Sequence, residues 1–258
     1  MDTKRPLILV VNDDGVTAPG IRTLIRLMKT LGEVVVVAPD SPQSGKGHAI
    51  TLDSMLQAER VYIDEGEQVE YACSGTPVDC VKLALNKLVP RKPDLCVSGI
   101  NHGSNASINV LYSGTMAAAL EGAIEGIPSI GFSLLDYAQD ADFSQCEDYV
   151  LKIAEQVLAN PIPKGACLNV NIPKVKKDAI KGIRVCRQAH GNWNEEFDER
   201  INPLGKTYYW LTGNYVNNDP KTDTDIWALD NNYISVVPVM FDLTSHDTIQ
   251  ELKSLNHG

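Results

Sequence analysis

Along the first two-thirds of the chain, short runs of continuously apolar residues alternate with stretches whose apolar positions recur at helical spacing. Ile8-Leu9-Val10-Val11, Val34-Val35-Val36-Val37-Ala38 and Leu95-Cys96-Val97-Ser98 have the pattern of strands covered on both faces. Pro19 opens a helix in which Leu24, Leu27, Met28 and Leu31 share a face and Gly32 ends the periodicity. Thr76-Pro77-Val78-Asp79 combines an N-cap, a first-turn proline and a capping-box acid, which predicts a helix reaching about Leu88. An alanine-rich helix over 115–124, a strand over 128–134 and a helix over 150–158 continue the series. Alternation of this kind predicts an α/β fold with a doubly wound, mostly parallel sheet.

The texture changes after about Lys174. Val170-Asn171-Ile172-Pro173 and Ile183-Arg184-Val185 read as strands, but helical spacing fades. Between Ala189 and Asp230 the residues Gly191, Trp193, Tyr208, Tyr209, Trp210, Tyr215 and Trp227 stand among Asn, Asp and Gly, a composition of hairpins or long loops. A strand over 233–239 and an amphipathic helix over 246–255 close the chain. The pattern predicts one domain over residues 1–258, with 1–188 and 232–258 as its core. Residues 189–231 form an aromatic β-excursion, and exposed aromatic arms of this sort serve oligomer contacts. No internal repeat or low-complexity tract interrupts this organisation.

Composition narrows the function. The chain has 258 residues, 43% hydrophobic and 22% charged, as in ordinary globular proteins. Thirty-three acids against 23 bases give a formal net charge of −10, which argues against duplex nucleic acid as the main partner. A small anionic substrate remains compatible with that charge if a metal supplies local positive potential. Cys73, Cys80, Cys96, Cys146, Cys167 and Cys186 form no C-x-x-C pair and stand mostly in apolar contexts, which predicts reduced, buried thiols. The polar amino end through Pro6 lacks signal-peptide features, and no apolar stretch is long enough for a membrane span. The expectation is a cytoplasmic protein.

The chemistry concentrates at predicted strand ends. Asn12-Asp13-Asp14-Gly15 follows the first strand, and ligands of open α/β sheets collect beyond the carboxyl ends of strands. Two adjacent carboxylates repel unless a cation or shared proton stabilises them, and hard oxygens suit Mg²⁺, Ca²⁺ or Mn²⁺. A second segment, Ala38-Pro39-Asp40 through Ser44 to His48, follows the next strand; a third runs from Ser98-Gly99-Ile100-Asn101 through Asn105 to Tyr112-Ser113-Gly114-Thr115. In a parallel sheet all three loops leave at one edge and meet Asp13 and Asp14. Ser113-Gly114-Thr115 precedes a helix, so its amides and hydroxyls offer an anion cradle, whereas the bland alternative is a small-residue helix packed tightly on the sheet. Neither the Walker loop nor the G-x-G-x-x-G fingerprint is present.

These segments together closely resemble the SurE family of metal-dependent 5′-nucleotidases. The resemblance continues through Pro203-x-Gly205, Tyr208-Tyr209-Trp210-Leu211, Asp223-Thr224-Asp225 and Phe241-Asp242-Leu243-Thr244, in order and over nearly the whole chain. It implies a Rossmann-like core and hydrolysis of nucleoside monophosphates with Mg²⁺ or Mn²⁺. Asp13, Asp14, Ser44 and Asn101 would bind the metal; Ser113, Gly114, Thr115 and Asn105 would hold phosphate oxygens. It further implies a homodimer or homotetramer with exchanged C-terminal arms. The preferred nucleobase, the 5′ or 3′ position and action on polyphosphate are left open.

For the reaction, Asp13, Asp14 and Asn12 are the candidate catalytic residues. Metal-activated water, positioned by a carboxylate or Asn12, is preferred over direct attack by Asp13, because both carboxylates are committed to the ion. His48 and His102 lie in the active loops and are read as binding or orienting residues rather than the acid. His190, His246 and His257 are read as surface or structural, and Tyr208-Tyr209-Trp210 as interface packing rather than a nucleobase platform. The rival reading is a phospho-accepting or metal-sensing regulatory module, which leaves the Asn101 and Ser113 loops without a role. A sugar-nucleotide transferase is a second rival.

Overall fold

In the computed structural model, residues 5–138 and 140–256 are described; His257 and the first four residues of the polar amino end lie outside them. The first strand, β1 (Leu7–Val11), is buried along its whole length. It pairs in parallel with β2 (Glu33–Pro39) on one side and, across a crossover, with β5 (Leu95–His102) on the other. Between these come α1 (Pro19–Leu31), β3 (Ala58–Val61), β4 (Val69–Cys73) and α2 (Pro77–Leu83). The chain continues through α3 (Gly114–Ile124), β6 (Ser129–Leu134), α4 (Glu147–Ala159), β7 (Ala166–Ile172) and β8 (Ile183–Val185). The hairpin β9 (Gly191–Ile201) and β10 (Thr207–Asn217) follows, then α5 (Asp225–Asp230), β11 (Ile234–Met240) and α6 (His246–Glu251).

Among the described residues the main sheet has nine strands in the order β3-β4-β2-β1-β5-β6-β7-β11-β8. The six from β4 to β7 are parallel. β3 is antiparallel to β4, and β11 is antiparallel to β7. Strand order therefore reverses at β1, where chain progress switches from the β2 side to the β5 side. Such a switch point leaves a crevice at the carboxyl ends of the strands.

Side-chain alternation along β1 divides the core. Ile8 and Val10 join Leu24 and Met28 of α1 and Val150 of α4 on one face. Leu7, Leu9 and Val11 join Cys80 and Val81 of α2 and Ala118 of α3 on the other. Odd-numbered residues of β1 thus point toward α2 and α3. Helix α2 starts as its sequence predicts, with the Thr76 hydroxyl and Asp79 carboxylate forming a reciprocal capping box. Beyond Leu83 it continues to Leu88 as a wider π turn. Helix α1 lies so close to β5 that a Cβ on Gly20 would sit 1.9 Å from the Ile100 carbonyl oxygen.

Three local features depart from the sequence pattern. β5 runs on to His102, four residues past its apolar run, with a register shift against β6 between Ser98 and Asn101. β3 lies within the polar segment 52–70 and β4 starts at its end and runs to Cys73, where no strand is expected. Within the aromatic excursion, residues 225–230 form a short helix, because the Thr224 hydroxyl caps the Trp227 amide. The hairpin itself pairs from Gly191↔Asn217 to Ile201↔Thr207. Phe197, Tyr209, Trp210 and Leu211 on it are exposed. Among the described residues no helix is long and apolar enough to cross a membrane.

Candidate active site at the switch point

The turn after β1 is built around two backbone requirements. Gly15 adopts φ of +101°, a region that favours glycine, and the Asn12 side-chain amide donates to its carbonyl at 2.9 Å. The Val16 amide then donates to the Pro39 carbonyl at 2.8 Å, fastening this turn to the end of β2. The Gln43 amide donates to the Asp13 main-chain carbonyl at 2.7 Å, so the loop after β2 is fastened to the backbone that carries the carboxylate pair. Asn12 and Asp13 are buried, and Asp14 is half-buried.

Continuing the alternation of β1, Asp13 points to the start of α3. The Thr115 hydroxyl donates to Asp13 Oδ1. A Cβ at Gly114 would lie 2.7 Å from Asp13 Cβ and 2.9 Å from its Oδ2, so only glycine admits the carboxylate here. Ser113 is the N-cap, its hydroxyl accepting from the Met116 amide at 3.0 Å. Asp14 turns to the β5 side and accepts from the His102 amide at 3.4 Å. Asn101, on β5, accepts at Oδ1 from Thr115 at 3.3 Å, while its amide donates to the His102 and Gly103 carbonyls. Asp13, Asp14, Asn101, Gly114 and Thr115 are thus joined in one cluster drawn from three turns.

Two predicted residues are placed differently from that cluster. Ser44 lies on an exposed turn, and its hydroxyl makes no hydrogen bond to the described residues. Asn105 is buried in an amide network: its side chain donates to Ser133 Oγ at 2.8 Å and its backbone amide to Asn171 Oδ1 at 2.8 Å. Asn169 donates to the Asn105 carbonyl, and Asn171 to Asn169 Oδ1. These polar partners escaped the sequence reading, although Asn169-Val170-Asn171 inside an otherwise apolar strand marks one face as polar. His102 is held at Nδ1 by the Ala138 carbonyl and packs edge-on against Phe143, as an orienting residue would.

Burial pushes the Asp13 carboxyl up to about 6, and the neighbouring Asp14 charge adds to the rise, against the lowering by Thr115. Asp14 is also raised, first by burial, with the His102 amide opposing. Asn12 Oδ1 is buried without a hydrogen-bond partner. Among the described residues no three His, Cys, Asp or Glu side chains converge as metal ligands would. A cation here would have to use two carboxylates together with neutral oxygens. A buried and a half-buried carboxylate, an orphaned amide oxygen and a loosely held Asn101 oxygen fit a hard divalent ion.

A family model described as "Survival protein SurE" matches residues 8–195, a span that contains every one of these residues. The chain belongs to the SurE family. A SurE protein of Christiangramia forsetii, named 5′-nucleotidase SurE, is 62% identical over 255 residues, covering 98% of each chain. One of the same name from Flavobacterium psychrophilum is 60% identical over 97% of each. The crystal structure of the SurE protein from Aquifex aeolicus superposes with a TM-score of 0.83 at 39% identity, covering 97% of this chain and 99% of that one. The SurE fold, a large mostly parallel sheet with an antiparallel hairpin, is therefore the fold of this chain.

Proposed function

We propose that the chain is a divalent-cation-dependent phosphomonoesterase that hydrolyses nucleoside 5′-monophosphates to nucleoside and phosphate. The observation that carries this reading is the Asp13–Asp14 pair, buried Asp13 pressed against the amino end of α3 and half-buried Asp14 turned to β5, with the neighbouring Asn12 Oδ1 unpartnered. The relatives' name, 5′-nucleotidase SurE, supplies the substrate class.

Asp13, Asp14, Ser44 and Asn101 would hold Mg²⁺ or Mn²⁺. When bound, the ion offsets charge on the phosphoryl oxygens and makes water more acidic. The chain's own groups do the rest. Ser113, Gly114 and Thr115 orient the phosphate at the helix start, where free amides and the dipole favour an anion. Asn105 stiffens the approach to that cradle through Ser133, Asn169 and Asn171. Asn12 Oδ1 accepts a hydrogen bond from the attacking water and aims it at phosphorus. The P–O bond to the nucleoside then breaks, and the departing oxygen takes up the proton that the attacking water gives up. Attack by Asp13 itself is disfavoured, because Thr115 and Gly114 hold its carboxylate against α3.

We further place residues 189–231 as an oligomer arm on a core of 1–188 and 232–258, in a cytoplasmic homodimer or homotetramer with exchanged C-terminal segments. Exposed Tyr209, Trp210 and Leu211 support the arm. A 670 Å³ groove lined by Leu111, Leu120, Val239 and Phe241 supports the exchange. Unpaired cysteines agree with a reducing compartment.

A screen of nucleoside monophosphates and p-nitrophenyl phosphate against Mg²⁺ and Mn²⁺ tests the function. Asp13→Asn and Asp14→Asn should each lower phosphate release by orders of magnitude while far-ultraviolet circular dichroism is unchanged. Unaltered turnover in both variants refutes the site, and stoichiometric phosphate labelling without turnover favours the regulatory module instead. In a single turnover in ¹⁸O water, label should pass straight to phosphate; label appearing first in the protein points to Asp13 as nucleophile.

A further inference from the structure

Glu121 is out of character with its helix. The sequence of α3, Gly-Thr-Met-Ala-Ala-Ala-Leu-Glu-Gly-Ala-Ile, is small and apolar, yet it carries a carboxylate only 2% exposed. Burying such a charge is costly unless it is paired and hydrogen-bonded. Lys82 of α2 donates to Glu121 Oε1 at 2.5 Å and His48 Nε2 lies 3.0 Å from Oε2. Lys82 suffices to offset the charge. His48 adds something else, a tether to the loop that carries Ser44.

That loop is held unevenly. Its far part is locked to α2: Thr51 donates through amide and hydroxyl to Asp79, and the Thr76 hydroxyl donates to the Ala49 carbonyl at 2.8 Å. Its near end is fixed by the Gln43 amide on the Asp13 carbonyl. Between these anchors Gly45 and Gly47 have φ of +72° and +55°, a pliable stretch. Among the described residues one 3.2 Å backbone bond, from the Gly47 amide to the Tyr112 carbonyl, joins it to the body besides the His48 side chain. Ser44 lies in this stretch.

We propose that His48, braced by buried Glu121, is a positioning residue that sets where Ser44 meets the cation. The inference rests on the metal site proposed above. It also explains why a carboxylate persists in α3: Glu121 lies seven residues after Gly114, on the same side of the helix, so it references the loop to the helix that holds Asp13.

Binding of Mn²⁺ to the full-length protein, followed by electron paramagnetic resonance of the free ion, tests this without recourse to activity. Wild type should bind and Asp14→Asn should not. His48→Ala should weaken binding roughly tenfold, the scale of lost support behind a metal ligand. His48→Gln, which can still donate to Glu121, should recover most of that loss. Ser44→Ala should weaken binding too, and adding His48→Ala to it should cost little more, since both act through one contact. Deuterium exchange should rise over 44–48 in His48→Ala and stay unchanged over 49–57. Wild-type affinity and exchange in His48→Ala, additive losses in the double variant, or a glutamine no better than alanine would each overturn the positioning role. Absence of Mn²⁺ binding by wild type overturns the cation site itself, and with it this inference.

Discussion

Gly114 is the residue at which backbone and chemistry come into contact. Its missing Cβ leaves room for the Asp13 carboxylate at the start of α3. Alanine there would push the carboxylate aside while favouring the helix, so any loss is not one of helix formation. Gly114→Ala should reduce kcat/KM by about 10- to 100-fold, the usual penalty for misplaced reacting groups, with circular dichroism unchanged. A variant as active as wild type would show that Asp13 has slack. Asp79 makes a different prediction. Burial pushes its carboxyl up, but hydrogen bonds from Thr51 and Thr76 outweigh that and hold it below the usual range. A carboxylate lowered on folding adds stability above its ordinary pKa of about 3.9 and loses it as pH falls below that value. Asp79→Asn should therefore unfold about 1–2 kcal/mol more easily at neutral pH, as expected for a lost cap. The gap from wild type should begin to close as pH falls through about 3.9 and go on closing through the lowered folded-state pKa in urea titrations.

Among elements, the seat of α1 on β5 bears the most direct test. A Cβ on Gly20 would meet the Ile100 carbonyl, a backbone atom that cannot swing aside. Gly20→Ala should cost about 2–3 kcal/mol, as overpacking does, and lower the melting temperature measurably; an unchanged value would mean that α1 slides freely. The elements that frame the site were legible because burial and pattern coincide. Ile8-Leu9-Val10-Val11 is covered on both faces, and Thr76 with Asp79 spells out a helix start. β3 was not legible, since Ala58-Glu59-Arg60-Val61 forms an edge strand with both charged side chains exposed. The end of β5 was hidden for another reason. Gly99, Asn101 and His102 have weak strand propensity, and pairing with β6 overrides it. Asp13 and Asp14 could be suspected from adjacency alone, whereas Ser44 and Asn101 entered through family likeness. The Glu121 brace was invisible, because one glutamate in an alanine-rich helix reads as solvent-facing until its neighbours are known.

At the scale of the whole molecule, the hairpin projects aromatic surface that its own core does not cover. If it serves as an oligomer arm, Trp210→Ser combined with Leu211→Ser should yield a smaller species in sedimentation velocity, with the nine-stranded core intact by circular dichroism. A sedimentation coefficient equal to that of wild type would count against the arm.

The donors proposed for the cation come from chain positions as far apart as 13 and 101, and Asp13 and Asn101 meet, through Thr115, only after the chain has wound both ways from β1. An unfolded chain cannot present them together, so an ion bound there would partition to the native state and stabilise it by mass action. At a free concentration one hundred times its dissociation constant, the gain is about 2.7 kcal/mol. On that proposal, the protein's thermal endurance would be coupled to the divalent-ion supply of its surroundings.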